Sequence, residues 1–168
     1  MNKTTRESMG SSKKQNWLTP KPLFETYNQI YQFTTDVAAD KDNHLGCPIF
    51  FTEENDGLTN YDKWQGNIFC NPPYSDTDKW VEACSRYANE GRGVAVMLIA
   101  ARTDTMRFHK YIWDTLHQRP KDNVTVHFLQ GRVRFLDGET RQPTDPAFFP
   151  SLVAIFRRAV KLEKGGDQ

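Results

Sequence analysis

Apolar residues recur along this chain with two periods, and the alternation between them sets out an α/β order. Across "WLTPKPLFETYNQIYQF" (17–33), Leu23, Phe24, Tyr27, Ile30 and Tyr31 fall on one helical face. Thr19 can cap that helix and Pro20 suits its first turn. Three short β-prone stretches follow: "FTTDVAAD" (33–40), "CPIFFTE" (47–53) and "GNIFC" (66–70), the first two running into acids. A second helical period starts after Ser75, Asp76 and Thr77, with Trp80, Ala83, Cys84, Tyr87 and Ala88 on one face. Gly91 and Gly93 stop it. "VAVMLIA" (94–100) is seven apolar residues in a row, the mark of a central parallel strand covered on both faces. "RTDTMRFHKYIWDTL" (102–116) reads as a third helix with Phe108, Tyr111, Ile112 and Leu116 inward. "VTVHFLQGRVRFL" (124–136) and "SLVAIFRR" (151–158) read as closing strands around a Pro-, Asp- and Gly-rich loop. The expected fold is α/β: a mixed, mostly parallel sheet with helices on both faces. One domain over 16–158 is expected, between a flexible polar arm (1–15) and a polar tail (159–168).

One segment breaks both periods. "CNPPYS" (70–75) joins an apolar stretch directly to an amphipathic helix, and two prolines cannot sit inside a helix or a paired central strand. In open α/β sheets ligands bind beyond the carboxyl ends of the strands, so this turn falls on the functional edge. There the Asn71 side-chain oxygen and the Pro72 carbonyl are two acceptors, Pro73 fixes the backbone, and Tyr74 offers a flat face. Two acceptors beside a ring suit a planar group bearing an NH2, such as the amino edge of a nucleobase. Such a nitrogen is a poor nucleophile because its lone pair is delocalised. Holding both N–H bonds favours a pyramidal nitrogen, and this works by orientation rather than by a strong base.

Composition narrows the setting. A length of 168 residues is enough to bury roughly two thirds of the unfolded surface in one core. No apolar run is long enough for a membrane span, and the first residues lack the apolar centre of a secretory signal. Three cysteines without a Cys-x-x-Cys pair argue against a disulfide framework or a structural metal site, so no metal and a cytoplasmic setting are expected. Net charge is +1, yet residues 36–82 carry ten acids and three bases, whereas 86–134 carry nine bases and four acids. The basic half suits a polyanion such as nucleic acid, unless it is simply solvated surface. Arg102 follows the buried strand on the functional edge and suits a phosphate or a carboxylate. Arg132 and Arg134 alternate along the expected strand and so share a face. Lys13 and Lys14 add charge to the arm.

Asn-Pro-Pro-Tyr after a strand resembles the catalytic motif of amino-methyltransferases that use S-adenosylmethionine. The likeness extends, in order, through "WLTP", "FTTDVAA", "DGL", "NIFCNPPYS", "LIAARTDTMRFH", "FLQGRVRF" and "FFPSLVAIF". This ordered set resembles the phage-type DNA N6-adenine methyltransferase (Dam) family over roughly residues 15–157. The resemblance implies a Rossmann-like S-adenosylmethionine-dependent methyltransferase acting on flipped-out adenine in double-stranded DNA, encoded by a phage or prophage in a bacterial cell. It implies that Asn71, Pro72, Pro73 and Tyr74 form the target-base site. Trp17, Thr19 and Pro20 would pack against the methionine part of the cofactor, and Asp36, Val37, Ala38 and Ala39 would form the first cofactor loop. Glu53 is matched to the ribose hydroxyls and Asp56 to the cofactor's adenine. The loop after Asp36 departs from the broader class: it lacks Gly-x-Gly and has no room for a full helix, an abbreviation the phage family shares. The tetrapeptide alone also serves enzymes that methylate protein glutamine or RNA bases, and a catalytically idle DNA-binding module is the alternative from outside enzymes.

Overall fold

The computed structural model describes residues 17–160. Lys13 and Lys14, the arm they belong to and most of the tail lie outside the described residues.

A six-stranded mixed sheet organises the chain. Its strands, across the sheet, are β3 (Ile49–Phe50), β2 (Thr35–Asp36), β4 (Ile68–Cys70), β5 (Ala95–Ala100), β10 (Ser151–Phe156) and β8 (Val124–Phe128). The first four run parallel. β10 is antiparallel to both β5 and β8, so five strands share a direction and β10 alone is reversed. The sheet is therefore mixed at its C-terminal side, as the sequence predicts. The "VAVMLIA" stretch is buried over residues 95–99, which accounts for its unbroken apolar character.

Alternation along the strands divides the core in two. Ile68, Cys70, Met97, Ile99, Leu152 and Ala154 face α2 (Thr77–Asn89), whose Trp80, Ala83, Cys84, Tyr87 and Ala88 are all buried. Phe69, Val96, Leu98, Val153 and Ile155 face the other way, against Phe24 and Tyr27 of α1 (Lys21–Tyr31). Helices thus cover both faces. Trp64 and Trp80 stack at 6.2 Å within the first layer and belong to the core.

Between β2 and β3 the chain makes turns and no helix. Parallel neighbours need a crossover, and here residues 37–48 supply it in its shortest form. Two further pairs complete the fold: β1 (Trp17–Leu18) with β9 (Leu136–Asp137), and β6 (Trp113–Asp114) with β7 (Arg119–Pro120).

The elements depart from the sequence expectation in three places. The first helix begins at Lys21 with Pro20, not Thr19, at its N-cap; Thr19 is buried, and Ile30 is 69% exposed instead of inward. The expected helix over 102–116 is helical only over 106–112, where it widens into a π turn at Phe108–Ile112. Asp114 ends it: its Oδ1 accepts the Leu116 and His117 N–H groups at 3.0 and 3.1 Å, turning the chain into the β6–β7 hairpin. Phe108 and Ile112 are buried as expected, but Leu116 is 84% exposed. The strand expected over 124–136 stops at Phe128, because Gly131 (φ 74°) turns the chain out of the ladder. Arg132 and Arg134 therefore stand on an irregular segment, although both still face solvent while Phe135 is buried.

Candidate active site

β2 and β4 are parallel neighbours, and their carboxyl ends bring Asp36 and Asn71 to one edge of the sheet. The Asp36 register partner is Phe69, and the Val37 N–H continues the ladder to the Phe69 carbonyl at 3.0 Å. β3 leaves β2 on its other side, so the edge between β2 and β4 is where the strand order reverses, the usual place for a crevice in such sheets.

Asn71 begins the turn out of β4. Its Nδ2 donates to the Trp17 carbonyl at 3.0 Å, which fixes the amide and leaves Oδ1 as its accepting end. Pro72 is buried, and Pro73 is extended at φ −60°, ψ 141°. A short 3₁₀ turn, Tyr74–Asp76, leads into α2, closed by the Asp76 N–H and the Thr77 hydroxyl, each 3.4 Å from the Pro73 carbonyl. Tyr74 is half-buried, and burial raises its phenol pKa above the ordinary value, so the hydroxyl stays protonated near neutrality. Its ring makes T-shaped contacts with Trp17 (5.6 Å) and Phe149 (5.0 Å), while Trp17 and Phe149 lie roughly parallel at 6.1 Å. Such contacts hold a ring in one orientation. Trp17 is itself placed by β1–β9 pairing, with Asp137 as its register partner.

The loop after β2 forms the second wall. Asp36 is buried, and that burial pushes its carboxyl up to about 7 despite a hydrogen bond from the Ala38 N–H at 3.2 Å. Val37 is buried in the α2 layer, and the Ala39 N–H donates to the Phe51 carbonyl at 2.7 Å, so the loop is stitched to both neighbouring strands. Gly57 packs against its backbone: a Cβ there would come within 2.0 Å of the Val37 carbonyl, so only glycine fits.

Further along this loop Asp40 behaves in the opposite way to Asp36. Burial opposes its ionisation, but hydrogen bonds from His44, Arg141 and the Asp42 N–H prevail and hold it at about 2. His44 lies 2.8 Å from Asp40 Oδ1 through Nδ1 and 2.9 Å from the Thr19 carbonyl through Nε2. The ring thus bridges the Asp40 carboxyl group and the Thr19 carbonyl. Arg141 also pairs with Asp42. This knot ties the Thr19–Pro20 segment and the turn after β9 to the loop after β2. A cavity of about 490 Å³ opens beside it, walled by Pro20, Lys21, His44, Leu136 and Arg141 among others.

The remaining expected residues are dispersed. Glu53 is exposed on the turn after β3. Asp56 is exposed, and its carboxylate is occupied by its own turn: it accepts from the Leu58 N–H (3.0 Å) and the Thr59 hydroxyl (2.7 Å). Arg102 and Arg132, distant in sequence, line one groove of about 370 Å³ together with Asp104, Phe148 and Phe149. Neither cavity is lined by Asp36 or Asn71. Two cations of the basic half are held locally: Arg86 and Arg92 lie over the Tyr61 ring at 4.0 and 5.0 Å, where Arg92 also donates to the Trp64 carbonyl. Sequence reasoning missed the Asp40–His44–Arg141 knot and the part Phe149 plays. The first is carried by three residues with no fixed spacing, whereas the Phe148–Phe149 pair before the last strand was a visible signal. Among the described residues no cluster of three or more His, Cys, Asp or Glu side chains could hold a metal, and no helix is long and apolar enough to cross a membrane.

Comparison with known proteins places this site in context. A DNA N-6-adenine-methyltransferase of Escherichia phage T1 is 25% identical, over 90% of this chain and 65% of the relative. A DNA N-6-adenine-methyltransferase of Haemophilus phage HP1 is 28% identical, over 90% of this chain and 84% of the relative. The chain thus spans just under two thirds of the first relative's length. The model of the family described as DNA N-6-adenine-methyltransferase (Dam) matches residues 6–164, nearly the whole chain, and the chain belongs to that family.

Proposed function

We propose that this chain carries out the reaction its family is named for: methylation of the N6 amino group of adenine in DNA. The observation that carries the reading is the Asn71–Tyr74 turn at the end of β4, where the Asn71 amide is fixed by Trp17 and the Tyr74 ring by Trp17 and Phe149. With its nitrogen held by Trp17, Asn71 presents oxygen to an amino group. The Pro72 carbonyl supplies the second acceptor, and Pro73 fixes the backbone behind it. Tyr74 stacks on the base, which leaves the duplex to bring its amino group to this turn. The target amino group gains its nucleophilicity from this orientation, and its proton leaves to water after transfer.

The methyl donor implied by the family is S-adenosylmethionine, which supplies a methyl group on a sulfonium, open to in-line attack. The residues present fit it. Asp36 is a buried carboxyl whose ionisation burial disfavours, and a cationic ligand at this edge relieves that cost. Val37, Ala38 and Ala39 would form the loop around it, Glu53 on the turn after β3 would be the partner of the ribose hydroxyls, and Trp17, Thr19 and Pro20 would close the side held by His44. The order of the sheet, with one reversed strand among five parallel ones, supports a Rossmann-like methyltransferase fold.

The test is expression in a bacterium lacking its own adenine methylation, with N6-methyladenine mapped across the genome. Methylated adenines should appear with the wild-type chain and vanish with Asn71→Ala, which costs ~100-fold or more in rate. The variant should still bind S-adenosylmethionine in calorimetry. Unmethylated DNA with wild-type protein, or methyl transfer to protein or RNA instead, overturns the reading.

A further inference from the structure

The β6–β7 hairpin has no role in the site just described, yet it is fastened to it. His109 makes the fastening: Nε2 lies 2.8 Å from the Thr103 carbonyl, and Nδ1 lies 2.7 Å from the Thr115 hydroxyl. The carbonyl only accepts, so Nε2 donates to it, while Nδ1 bonds the Thr115 hydroxyl. Thr103 lies on the loop that leaves β5 at the functional edge, in the groove with Arg102 and Phe149, and Phe149 packs on Tyr74. A second tie, Arg107 to Asp78, joins the same segment to the first turn of α2, directly after the Tyr74–Asp76 turn. The hairpin tip is therefore carried on the same edge as the target-base turn.

What the tip presents is unusual for a solvated loop. Leu116 is 84% exposed and Met106, on the supporting segment, 87%. Over residues 102–121 the chain has five Lys and Arg against two Asp, and two histidines besides. The hairpin itself carries one Arg and one Asp, with Arg119 paired to Asp122, so the unpaired positive charge lies on the flanking segments at Arg102, Lys110 and Lys121. An exposed apolar side chain on a hairpin flanked by such cations is the equipment with which proteins press on a base step while cations hold the phosphates. A soluble partner protein would not need the cationic surround, and a helix continued through 116, as the sequence pattern suggests, would have buried Leu116.

We propose that the β6–β7 hairpin grips the DNA duplex next to the target adenine, with Leu116 as its apolar contact on the bases. His109 is the positioning residue that locks the hairpin to the loop after β5. The inference rests on the reading that this chain methylates adenine in DNA. It adds where the duplex is held.

The experiment compares Leu116→Ser, His109→Ala and His109→Gln with wild type on methylated-product assays, using one duplex and the matching single strand. Leu116→Ser should raise KM for the duplex roughly 10- to 100-fold. Turnover of the single strand and calorimetric affinity for S-adenosylmethionine should stay at wild-type values. With 2-aminopurine at the target position, the fluorescence gain on binding should fall, reporting fewer extruded bases. His109→Ala should reproduce the duplex defect, and His109→Gln, whose amide can serve both partners, should restore most of it. An unchanged duplex KM in Leu116→Ser overturns the proposal. So does a His109→Ala variant that matches wild type, or that loses cofactor affinity and single-strand turnover in step with the duplex. A wild-type chain that methylates no DNA condemns the functional reading itself, a result that cannot be confused with either.

Discussion

Two residues at the site make predictions of opposite kinds. In the proposed reaction Tyr74 uses its face, so Tyr74→Ala should weaken capture of the flipped base by about 1–3 kcal/mol, the usual worth of a base–aromatic stack. Tyr74→Phe should retain most activity, and steady-state assays of both variants decide: an equal loss means the hydroxyl, not the ring, matters. Asp36 instead works against the fold. Its carboxyl is raised to about 7 in the folded protein, above its ordinary 3.8, so the native state holds the proton more tightly than the unfolded chain. Its contribution to stability is whole below about pH 4 and is lost as pH rises through 7. Asp36→Asn removes this penalty while keeping an oxygen for the Ala38 N–H. It should therefore stabilise the protein at pH 8 by up to about 4 kcal/mol and change little at pH 4. The same substitution should weaken S-adenosylmethionine. Urea titrations at the two pH values and calorimetry read these effects, and a variant less stable at pH 8 would contradict the assignment. The turn that carries Asn71 and Tyr74 was legible in sequence because it is written in four adjacent letters after an apolar stretch. The fixing of Asn71 by Trp17 was not, since a main-chain carbonyl 54 positions away leaves no mark in residue type.

At the scale of elements, the turn around Gly57 is the most exacting piece. Gly57→Ala would drive a methyl group into the Val37 carbonyl, and the loop after β2 must then move. We expect a loss of about 2 kcal/mol or more in stability, at the upper end of overpacking costs, together with weaker S-adenosylmethionine binding. Equilibrium urea melts and calorimetry check both, and a neutral outcome would show that the turn yields freely. The long helix and long strand expected at 102–116 and 124–136 failed for local reasons. A side chain at Asp114 offered the backbone a turn in place of further helix, and Gly131 took a left-handed conformation inside an otherwise regular alternation. Apolar period is blind to both, because each acts through one residue's backbone preference. Where such a residue is missing, as in α2 and β5, pattern and structure agree along nearly the whole element.

Across the whole molecule, the basic half of the sequence gives up two of its cations, Arg86 and Arg92, to the Tyr61 ring of the acidic half. DNA affinity should still fall steeply with salt through the cations that remain at the edge. Replacing Arg102, Arg132 or Arg134 by Ala should each flatten the slope of log affinity against log salt by roughly one unit, if that residue meets a phosphate. Duplex titrations over a salt series measure this, and a shallow wild-type slope would refute it. The order of the sheet also bears on how the molecule is made. β10 is late in the chain but lies inside the sheet, six residues in register with β5 and five with β8. A nascent chain leaving the ribosome therefore offers two unsatisfied strand edges, one of them wholly apolar, until residues 151–156 arrive to lie between them. This is the interval in which chaperones would be needed and aggregation would compete. Premature termination at Pro150 would leave the sheet in two pieces, β3-β2-β4-β5 and β8 alone, with Phe149 present but no strand to aim it at Tyr74.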